Sequence, residues 1–195
     1  MKKSKNRNWP FVLSLVAVFL LVGFIKYFMY DVYYIPTNSM SPAIEAGDRV
    51  IANKWETGTI LPKWLNPRGT LRSPQISNIN KGDIILFRHP AKDEPIWDRV
   101  ILAKRVIGVA GEHLTITDEG IENLYIPTAG DSSEYDHYFV MGDFKQNSHD
   151  SRHWGLVPSN LIIGKVEGVL YSTHDPIKHW ENKKFNWERL LKKVH

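Results

Sequence analysis

The chain has 195 residues, enough for one compact domain and a membrane anchor. Lys and Arg number 25 and Asp and Glu number 21, so the net charge of +4 is too small and too scattered to indicate nucleic-acid binding. The absence of cysteine excludes disulfides, thiolate nucleophiles and cysteine-ligated metal sites.

The N-terminal region has the pattern of a membrane anchor. Residues 1–8 contain four basic residues and no acid, and an apolar run of 22 residues follows from Trp9 to Tyr30. As a helix this run would span about 33 Å, enough to cross a bilayer core. No small-x-small cleavage motif follows it, which favours a retained anchor over a cleavable signal peptide. The sequence therefore predicts a cytoplasmic N-terminus (1–8), a transmembrane anchor (9–30) and an extracytoplasmic domain (31–195).

Short strand-like segments separated by turns follow the anchor. Strands are predicted over residues 48–52, 84–87, 100–109, 113–117, 121–126 and 138–141. A last pair of strands is predicted over residues 161–171, with bulges at Gly164 and Gly168. Residues 56–80 indicate a long loop or hairpin excursion, and the tail from Asn182 has the apolar spacing of a short helix against lipid or the domain. Because helical periodicity is scarce beyond the anchor, the domain is predicted to be mainly β and barrel-like.

A short segment after the anchor holds a serine between two prolines. Pro36 and Pro42 restrict the backbone on either side of Ser39, which can hold the hydroxyl in a fixed position. A serine between prolines is, however, most often part of an ordinary loop. Ser39 lies nine residues after Tyr30, at most about 30 Å of extended chain. We therefore expect Ser39 and its substrate close to the bilayer surface.

Lys104 lies among apolar residues in the predicted strand 100–109. In an alternating strand, Leu102, Lys104 and Val106 share one face and Arg105 points to the other. The simple structural interpretation is an edge strand with a lysine whose amine reaches solvent. The functional interpretation is a buried amine, because burial disfavours the charged form, lowers the pKa and makes lysine a general base near neutral pH.

A polar segment runs from Met141 to Gly155 between two predicted strands. In this segment Asp150 and Arg152 can pair and hold the loop, and Ser148 can hydrogen-bond an amine and orient it. A solvated loop is the ordinary interpretation of such a composition.

Together these segments resemble the ordered motifs of the type I signal peptidases, a family of serine peptidases with a Ser–Lys dyad. The matching segments are Ile35-Pro36-Thr37-Asn38-Ser39-Met40-Ser41-Pro42, Lys81-Gly82-Asp83-Ile84-Ile85-Leu86-Phe87, Lys104-Arg105-Val106-Ile107-Gly108, and Gly142-Asp143 through Arg152 with Trp154-Gly155-Leu156-Val157-Pro158. They occur in the family order behind an N-terminal anchor and cover about residues 31–170. The resemblance implies a mainly β, signal-peptidase-type catalytic domain behind one transmembrane helix.

The resemblance also implies roles for individual residues. Ser39 matches the nucleophile and Lys104 its general base, while Thr37 matches the hydroxyl that forms the oxyanion hole with the Ser39 N–H. Ser148 matches the residue that positions the lysine amine. The supporting residues are Asp143, Asp150 and Arg152, and the residues that line pockets for small substrate side chains are Tyr33, Ile35, Met40 and Ile44. Phe144 replaces the usual Asn after Gly-Asp, so the hydrogen bonds of that side chain are missing here.

The implied function is removal of N-terminal signal peptides from secreted preproteins through an acyl-enzyme. The enzyme would lie in the plasma (inner) membrane of a bacterium, with its catalytic domain on the outer side. Its implied partners are preproteins with small residues before the cleavage site and the lipid bilayer. No cofactor, metal ion or nucleic acid is expected.

Other interpretations remain open. A specialised relative, such as a conjugative-transfer peptidase that processes pilin, would use the same dyad, and a membrane-anchored binding module would have lost catalysis. A Ser/His/Asp hydrolase is disfavoured because the sequence contains no Gly-x-Ser-x-Gly. His149 and His153, with Asp143 and Asp150, suggest a metal site, although surface histidines are the favoured interpretation.

Overall fold

The computed structural model describes residues 8–69, 71–74, 77–90, 93–116, 121–131, 133–174 and 184–194. The helices are α1 (Trp9–Phe24) and α2 (Ser151–Trp154), with a π-helical turn at Ile25–Met29 and 3-10 turns at Lys145–Asn147, Ser159–Leu161 and Trp187–Arg189. The strands are β1 (Tyr30–Tyr34), β2 (Asp48–Asn53), β3 (Ile84–Arg88), β4 (Ile101–Gly108), β5 (His113–Ile116), β6 (Ile121–Tyr125), β7 (His137–Met141), β8 (Val157–Pro158), β9 (Ile162–His174), β10 (Lys184–Asn186) and β11 (Lys192–Lys193).

The N-terminal helix is long and apolar enough to cross a membrane. Together with the π-helical turn it forms a continuous segment of 21 residues, Trp9–Met29. None of its apolar window is buried inside the protein, so its side chains are free to face lipid. The helix ends one residue before the predicted anchor boundary, because Tyr30 already belongs to β1.

Within the described residues, nine strands form one antiparallel sheet. Their order is β1-β2-β9-β3-β4-β7-β8, and β10 and β11 both pair with β9. The strands β5 and β6 form a separate hairpin. The fold is thus a mainly antiparallel β half-barrel with one N-terminal apolar helix, which confirms the predicted fold class.

Two core clusters occupy the two faces of the central strands. In β3, Ile84 and Leu86 belong to the first cluster, and Ile85 and Phe87 belong to the second. A strand buried on both faces explains the uninterrupted apolar run that predicted it. The first cluster also contains Met40, so this part of the core lies directly beneath the segment that carries Ser39.

The predicted pair of strands over residues 161–171 is wrong, because these residues belong to the single strand β9 of 13 residues. β9 pairs with β2 on one edge and β3 on the other, and register shifts beside Gly164 and Gly168 interrupt these ladders. A Cβ at Gly164 would lie 2.9 Å from the carbonyl oxygen of Asn53, and one at Gly168 would lie 2.6 Å from that of Lys192. The glycines therefore mark close backbone contacts rather than the end of a strand.

The helix predicted for the tail is also wrong in the described part, residues 184–194. These residues form two short strands joined by one 3-10 turn, and both strands pair with β9. Trp187 and Leu191, whose spacing suggested a helix, stay 75% and 67% exposed, whereas Arg189 is buried. Of the two alternatives, the tail therefore packs on the domain through a charged residue, which apolar periodicity does not reveal.

The loop excursion predicted over residues 56–80 is confirmed for its described part. An isolated bridge joins Ile60 to Arg72 and closes the excursion at its base. The Arg72 guanidinium donates to the carbonyl oxygens of Gly58 and Ile162, both at 2.6 Å, which fastens the loop to the start of β9.

Candidate active site

Ser39 lies in the loop that joins β1 to β2. The Gly47 N–H donates to the Ile35 carbonyl at 2.8 Å, which closes the loop at its base. Below the loop, Met40 and Ile44 are almost fully buried in the first core cluster. The closed base and these two apolar anchors hold Ser39 in place, while its side chain stays partly exposed.

Lys104 projects from β4 towards this loop. Its Nζ lies 2.6 Å from the Oγ of Ser39, and the residue is 3% exposed. Leu102 and Val106 pack in the second core cluster, whereas Ala103 packs in the first, so the expected alternation along the strand is present. The regular geometry of β4 therefore places the Lys104 amine next to the Ser39 hydroxyl.

The surroundings of Lys104 favour a neutral amine. Burial lowers the pKa of Lys104, and the Asp150 and Asp143 carboxylates oppose this shift without cancelling it. A neutral amine accepts a proton from a hydroxyl group, and an unactivated serine is a poor nucleophile without such a base. The pair therefore has the distance and the electrostatics of a nucleophile and its general base.

Asp150 is completely buried and organises the polar segment. Its carboxylate accepts hydrogen bonds from the Ser148 hydroxyl at 2.7 Å, the Gly142 N–H at 3.0 Å and Nε of Arg152 at 2.9 Å. Burial alone would raise the pKa of Asp150, but hydrogen bonds led by that from Arg152 outweigh it and lower the pKa. The expected Asp150–Arg152 pair is confirmed, and it keeps a fixed negative charge near Lys104.

Ser148 and Ser39 both lie next to Gly142. A Cβ on Gly142 would overlap both the Ser148 hydroxyl and the Ser39 carbonyl oxygen, so only glycine fits between them. The Ser148 hydroxyl itself donates to Asp150. Its expected role in positioning the lysine amine stays a prediction, and the structural requirement for glycine at position 142 was not foreseen from the sequence.

Asp143 pairs with Arg105, a residue for which no role was predicted, and its supporting role in the site stays a prediction. Arg105 donates two parallel hydrogen bonds to the Asp143 carboxylate, each 2.7 Å long, and a third of 2.7 Å to the Gly82 carbonyl. The hydrogen bonds that Arg105 donates to Asp143 also raise the pKa of Arg105. The sequence feature that could have revealed this pair is Arg105 itself, a second charged residue directly after Lys104 in an otherwise apolar strand.

The unusual Phe144 contributes through its backbone. Its N–H donates to the Ser39 carbonyl at 3.1 Å, while the side chain is 41% exposed. Because this hydrogen bond uses only the main chain, the replacement of Asn by Phe leaves it intact.

Two donors for an oxyanion hole are available in the Ser39 loop. The Ser39 N–H has no acceptor among the described residues, and Thr37 is exposed two residues earlier. Unsatisfied donors next to a nucleophile are what an oxyanion hole requires. The assignment of Thr37 to that hole stays a prediction.

The four residues expected to line substrate pockets lie in or against the first core cluster. Ile35, Met40 and Ile44 are 7%, 1% and 0% exposed, and Tyr33 packs against them. Burial raises the pKa of Tyr33 to about 12. These side chains form the apolar layer beneath Ser39, and their contact with substrate stays a prediction.

The two histidines of the polar segment contact each other. The rings of His149 and His153 stack with centroids 4.6 Å apart, and His153 Nδ1 accepts a hydrogen bond from the Asp150 N–H at 3.4 Å. Over the ranges that the structure covers, no group of three or more His, Asp or Glu side chains is arranged to hold a metal ion.

A serine hydroxyl beside a buried lysine amine is the arrangement of the Ser–Lys hydrolases, in which the amine replaces histidine as the base. The family model for signal peptidase, peptidase S26, matches residues 8–171. The chain therefore belongs to the peptidase S26 signal peptidase family.

Several relatives are similar over most of their length. Signal peptidase I of Leptolyngbya laminosa is 32% identical, over 77% of this chain and 73% of the relative. Signal peptidase I of Pseudomonas aeruginosa is 28% identical, over 84% and 72%. A Staphylococcus aureus relative named inactive signal peptidase IA is 26% identical, over 87% and 93%. The family thus includes a relative that is named inactive. Support for activity in this chain therefore has to come from the geometry of its own site.

Proposed function

We propose that this protein is an active, membrane-anchored serine endopeptidase that removes N-terminal signal peptides from secreted preproteins. The observation that carries the proposal is the 2.6 Å distance between Lys104 Nζ and Ser39 Oγ, with the amine buried. A chain that had lost catalysis would be under no constraint to keep both groups in this geometry.

The proposed mechanism starts from a neutral Lys104 amine and a protonated Ser39 hydroxyl. Neutral Lys104 takes the hydroxyl proton as Ser39 Oγ attacks the scissile carbonyl. The Ser39 N–H and the Thr37 hydroxyl stabilise the oxyanion, at about 3 kcal/mol for each donor. Protonated Lys104 then gives its proton to the leaving amine, leaving an acyl-enzyme on Ser39. Water hydrolyses this ester with Lys104 again as base, and the Ser39 hydroxyl is restored.

Two strand edges offer a place for the substrate. Among the described strands β1 pairs only with β2, and β4 pairs with β7 only from Arg105 onwards. One edge of Tyr30–Tyr34 and one edge of Ile101–Lys104 are therefore free on the approaches to Ser39. An extended peptide can add to such an edge through its main chain, and shallow apolar pockets would then select small side chains.

The proposed location follows from the helix and its flanks. The basic residues 1–8 stay in the bacterial cytoplasm, Trp9–Met29 crosses the plasma membrane once, and the β domain lies on the outer side. Residue 30 then begins the catalytic domain, which places Ser39 near the bilayer surface, where preproteins emerge.

The test is cleavage of a secretory precursor with an Ala-x-Ala site by the full-length protein in detergent. We expect Ser39→Ala and Lys104→Met each to lose activity by about a thousandfold or more, because each removes half of the nucleophile–base pair. Lys63→Met, which changes a surface lysine that is 65% exposed, serves as the control and should match the wild type. The wild-type rate should rise with pH until the lowered pKa of Lys104 is passed.

The other outcomes separate the alternatives. Cleavage of pilin-like but not general precursors would indicate a specialised peptidase. A wild type that cleaves neither would favour the second candidate, a non-catalytic membrane-anchored module, for which the inactive relative is the precedent. Retained activity in Lys104→Met together with an inactive Ser39→Ala would show that the base is misassigned.

A further inference from the structure

A pocket of about 310 Å³ lies where the N-terminal helix meets the β domain. Gly23, Lys26 and Tyr27 line it from the helix, and Lys54 and Arg88 line it from the domain. It is separate from the Ser39–Lys104 pair, neither of which lines it. The pocket therefore has one wall at the end of the apolar helix and another in the folded domain.

The lining of this pocket has an excess of positive charge. Lys26, Lys54 and Arg88 are cationic, and Asp31 is the one carboxylate among the lining residues. Asp31 is paired with Lys54 at 3.4 Å, and no described carboxylate forms an ion pair with Lys26 or Arg88. Two positive charges are thus left without a carboxylate partner, which favours an anionic ligand.

Arg88 is held rigidly at the pocket. Its Nε is buried and has no acceptor among the described residues. The rest of the guanidinium is fixed, because Nη1 donates to the Trp97 carbonyl at 3.1 Å and the group lies 5.2 Å from the centroid of the Trp97 ring. A rigid guanidinium whose charge has no carboxylate partner is well suited to bind a phosphate oxygen.

Lys54 is the most buried cation of the pocket, at 7% exposure. Its Nζ donates to the carbonyl of Lys26 at 2.9 Å and to Asp31, which fixes it at the C-terminal end of the helical segment. Burial lowers the pKa of Lys54, so a second anion beside it would stabilise its charged form.

We propose that this pocket binds the phosphate of an anionic glycerophospholipid, held by Arg88, Lys54 and Lys26. Gly23 has no atom within 4 Å of the Cβ position, so the pocket is open along the helix towards the apolar region, where an acyl chain fits. Lipid phosphates lie at the boundary where the helix leaves the hydrocarbon core, at the depth of Lys26. The inference rests on the proposed placement of the helix in a bilayer and not on the proposed peptidase activity.

The test is lipid binding by the full-length protein in a neutral detergent, followed by native mass spectrometry. The protein is titrated with short-chain phosphatidylglycerol, phosphatidylcholine and soluble glycerol phosphate. We expect wild type to retain one phosphatidylglycerol at least about tenfold more tightly than phosphatidylcholine. Arg88→Gln should remove most of that preference, since it removes the positive charge of the guanidinium. The matched control Arg68→Gln, at an exposed arginine outside the pocket, should keep it.

Each remaining result would overturn the proposal. Equal retention of both lipids by wild type would show that the pocket does not select an anionic headgroup. Equally tight binding of glycerol phosphate would identify a soluble anion as the ligand. An unchanged preference in Arg88→Gln would place the lipid elsewhere. Since none of these measurements uses cleavage, they do not depend on the outcome of the peptidase test.

Discussion

Two fully buried carboxylates stabilise the two sides of the active site in different ways. Asp150 and Asp48 are both 0% exposed. Asp150 takes its hydrogen bonds from partners within eight residues along the chain, such as Gly142 and Arg152. Asp48 is bound by Arg189, which is 141 residues away. The Lys104 side of the site is therefore held by local contacts, whereas the Ser39 side depends on the tail.

The long-range pair holds the loop that carries Ser39 in place. Nε and Nη2 of Arg189 donate to the two oxygens of Asp48 at 2.9 and 2.5 Å, at the start of β2. The same guanidinium donates to the Ala43 carbonyl and to Glu45, both at 3.1 Å. A single residue of the tail thus fixes several points of the Ser39 loop. Two carboxylates can therefore be equally buried although one is held by neighbours in the sequence and the other by a residue from the far end of the chain.

The largest effect is expected for Asp150→Ala. It leaves Arg152 and several donors without their acceptor, which should lower the free energy of unfolding by about 3–5 kcal/mol and abolish cleavage. Thermal unfolding in detergent and precursor cleavage measure the two effects. Asp98→Ala, at a carboxylate that is 60% exposed, is the control. Equal stability of the two variants would mean that the local network does not support the fold.

A smaller loss, about 3 kcal/mol, is expected for Arg189→Met, because Asp48 keeps one hydrogen bond from the Glu45 N–H. Adding Asp48→Asn should recover at least half of that loss, since the buried charge is then gone. The equivalent double change Asp150→Asn with Arg152→Met should recover less, because Asp150 also serves Gly142 and Ser148. If the losses in unfolding free energy caused by Arg189→Met and Asp48→Asn simply add in the double variant, the expected recovery is absent and the prediction is wrong.

The smallest effect on stability is expected from lowering the pH, which protonates Asp150. The folded pKa of Asp150 is lowered, so its contribution to stability is complete above the unfolded value of about 3.9 and is lost as pH falls through the folded pKa. The contribution changes by at most about 1.4 kcal/mol for each pH unit. The gap in unfolding free energy between wild type and Asp150→Asn should therefore narrow from pH 6 to pH 2.5. A constant gap would show that the pKa of Asp150 is the same in the folded and unfolded states, so that folding does not lower it.

The sequence predicted those parts of the molecule whose signals are local. Alternation in β4 placed Lys104 on the face of Leu102 and Val106, and the apolar run of β3 predicted a strand, which the structure shows buried on both faces. Asp150 and Arg152 are two residues apart, so their pairing followed from proximity in the chain.

The missed features depend on contacts between distant segments. β9 was divided in two, although the bulges predicted at Gly164 and Gly168 are present, and only the neighbouring backbones show that these glycines allow close approach within one strand. Arg189 lies among apolar residues at helical spacing, and its partner Asp48 belongs to the other end of the domain. The need for glycine at position 142 likewise arises from two neighbours that only the folded chain brings together.

The position of β9 also determines when the protein can fold. β9 lies between β2 and β3, although it follows them by more than 70 residues, and β10 and β11 add to it last. The strands of the first half of the chain therefore cannot complete their sheet until β9 and the tail have been synthesised and have reached them. Such non-local pairing makes assembly slow and cooperative. The contacts of Arg189 with the Ser39 loop consequently form only after the tail arrives, so a nascent or truncated chain lacks this support for the loop.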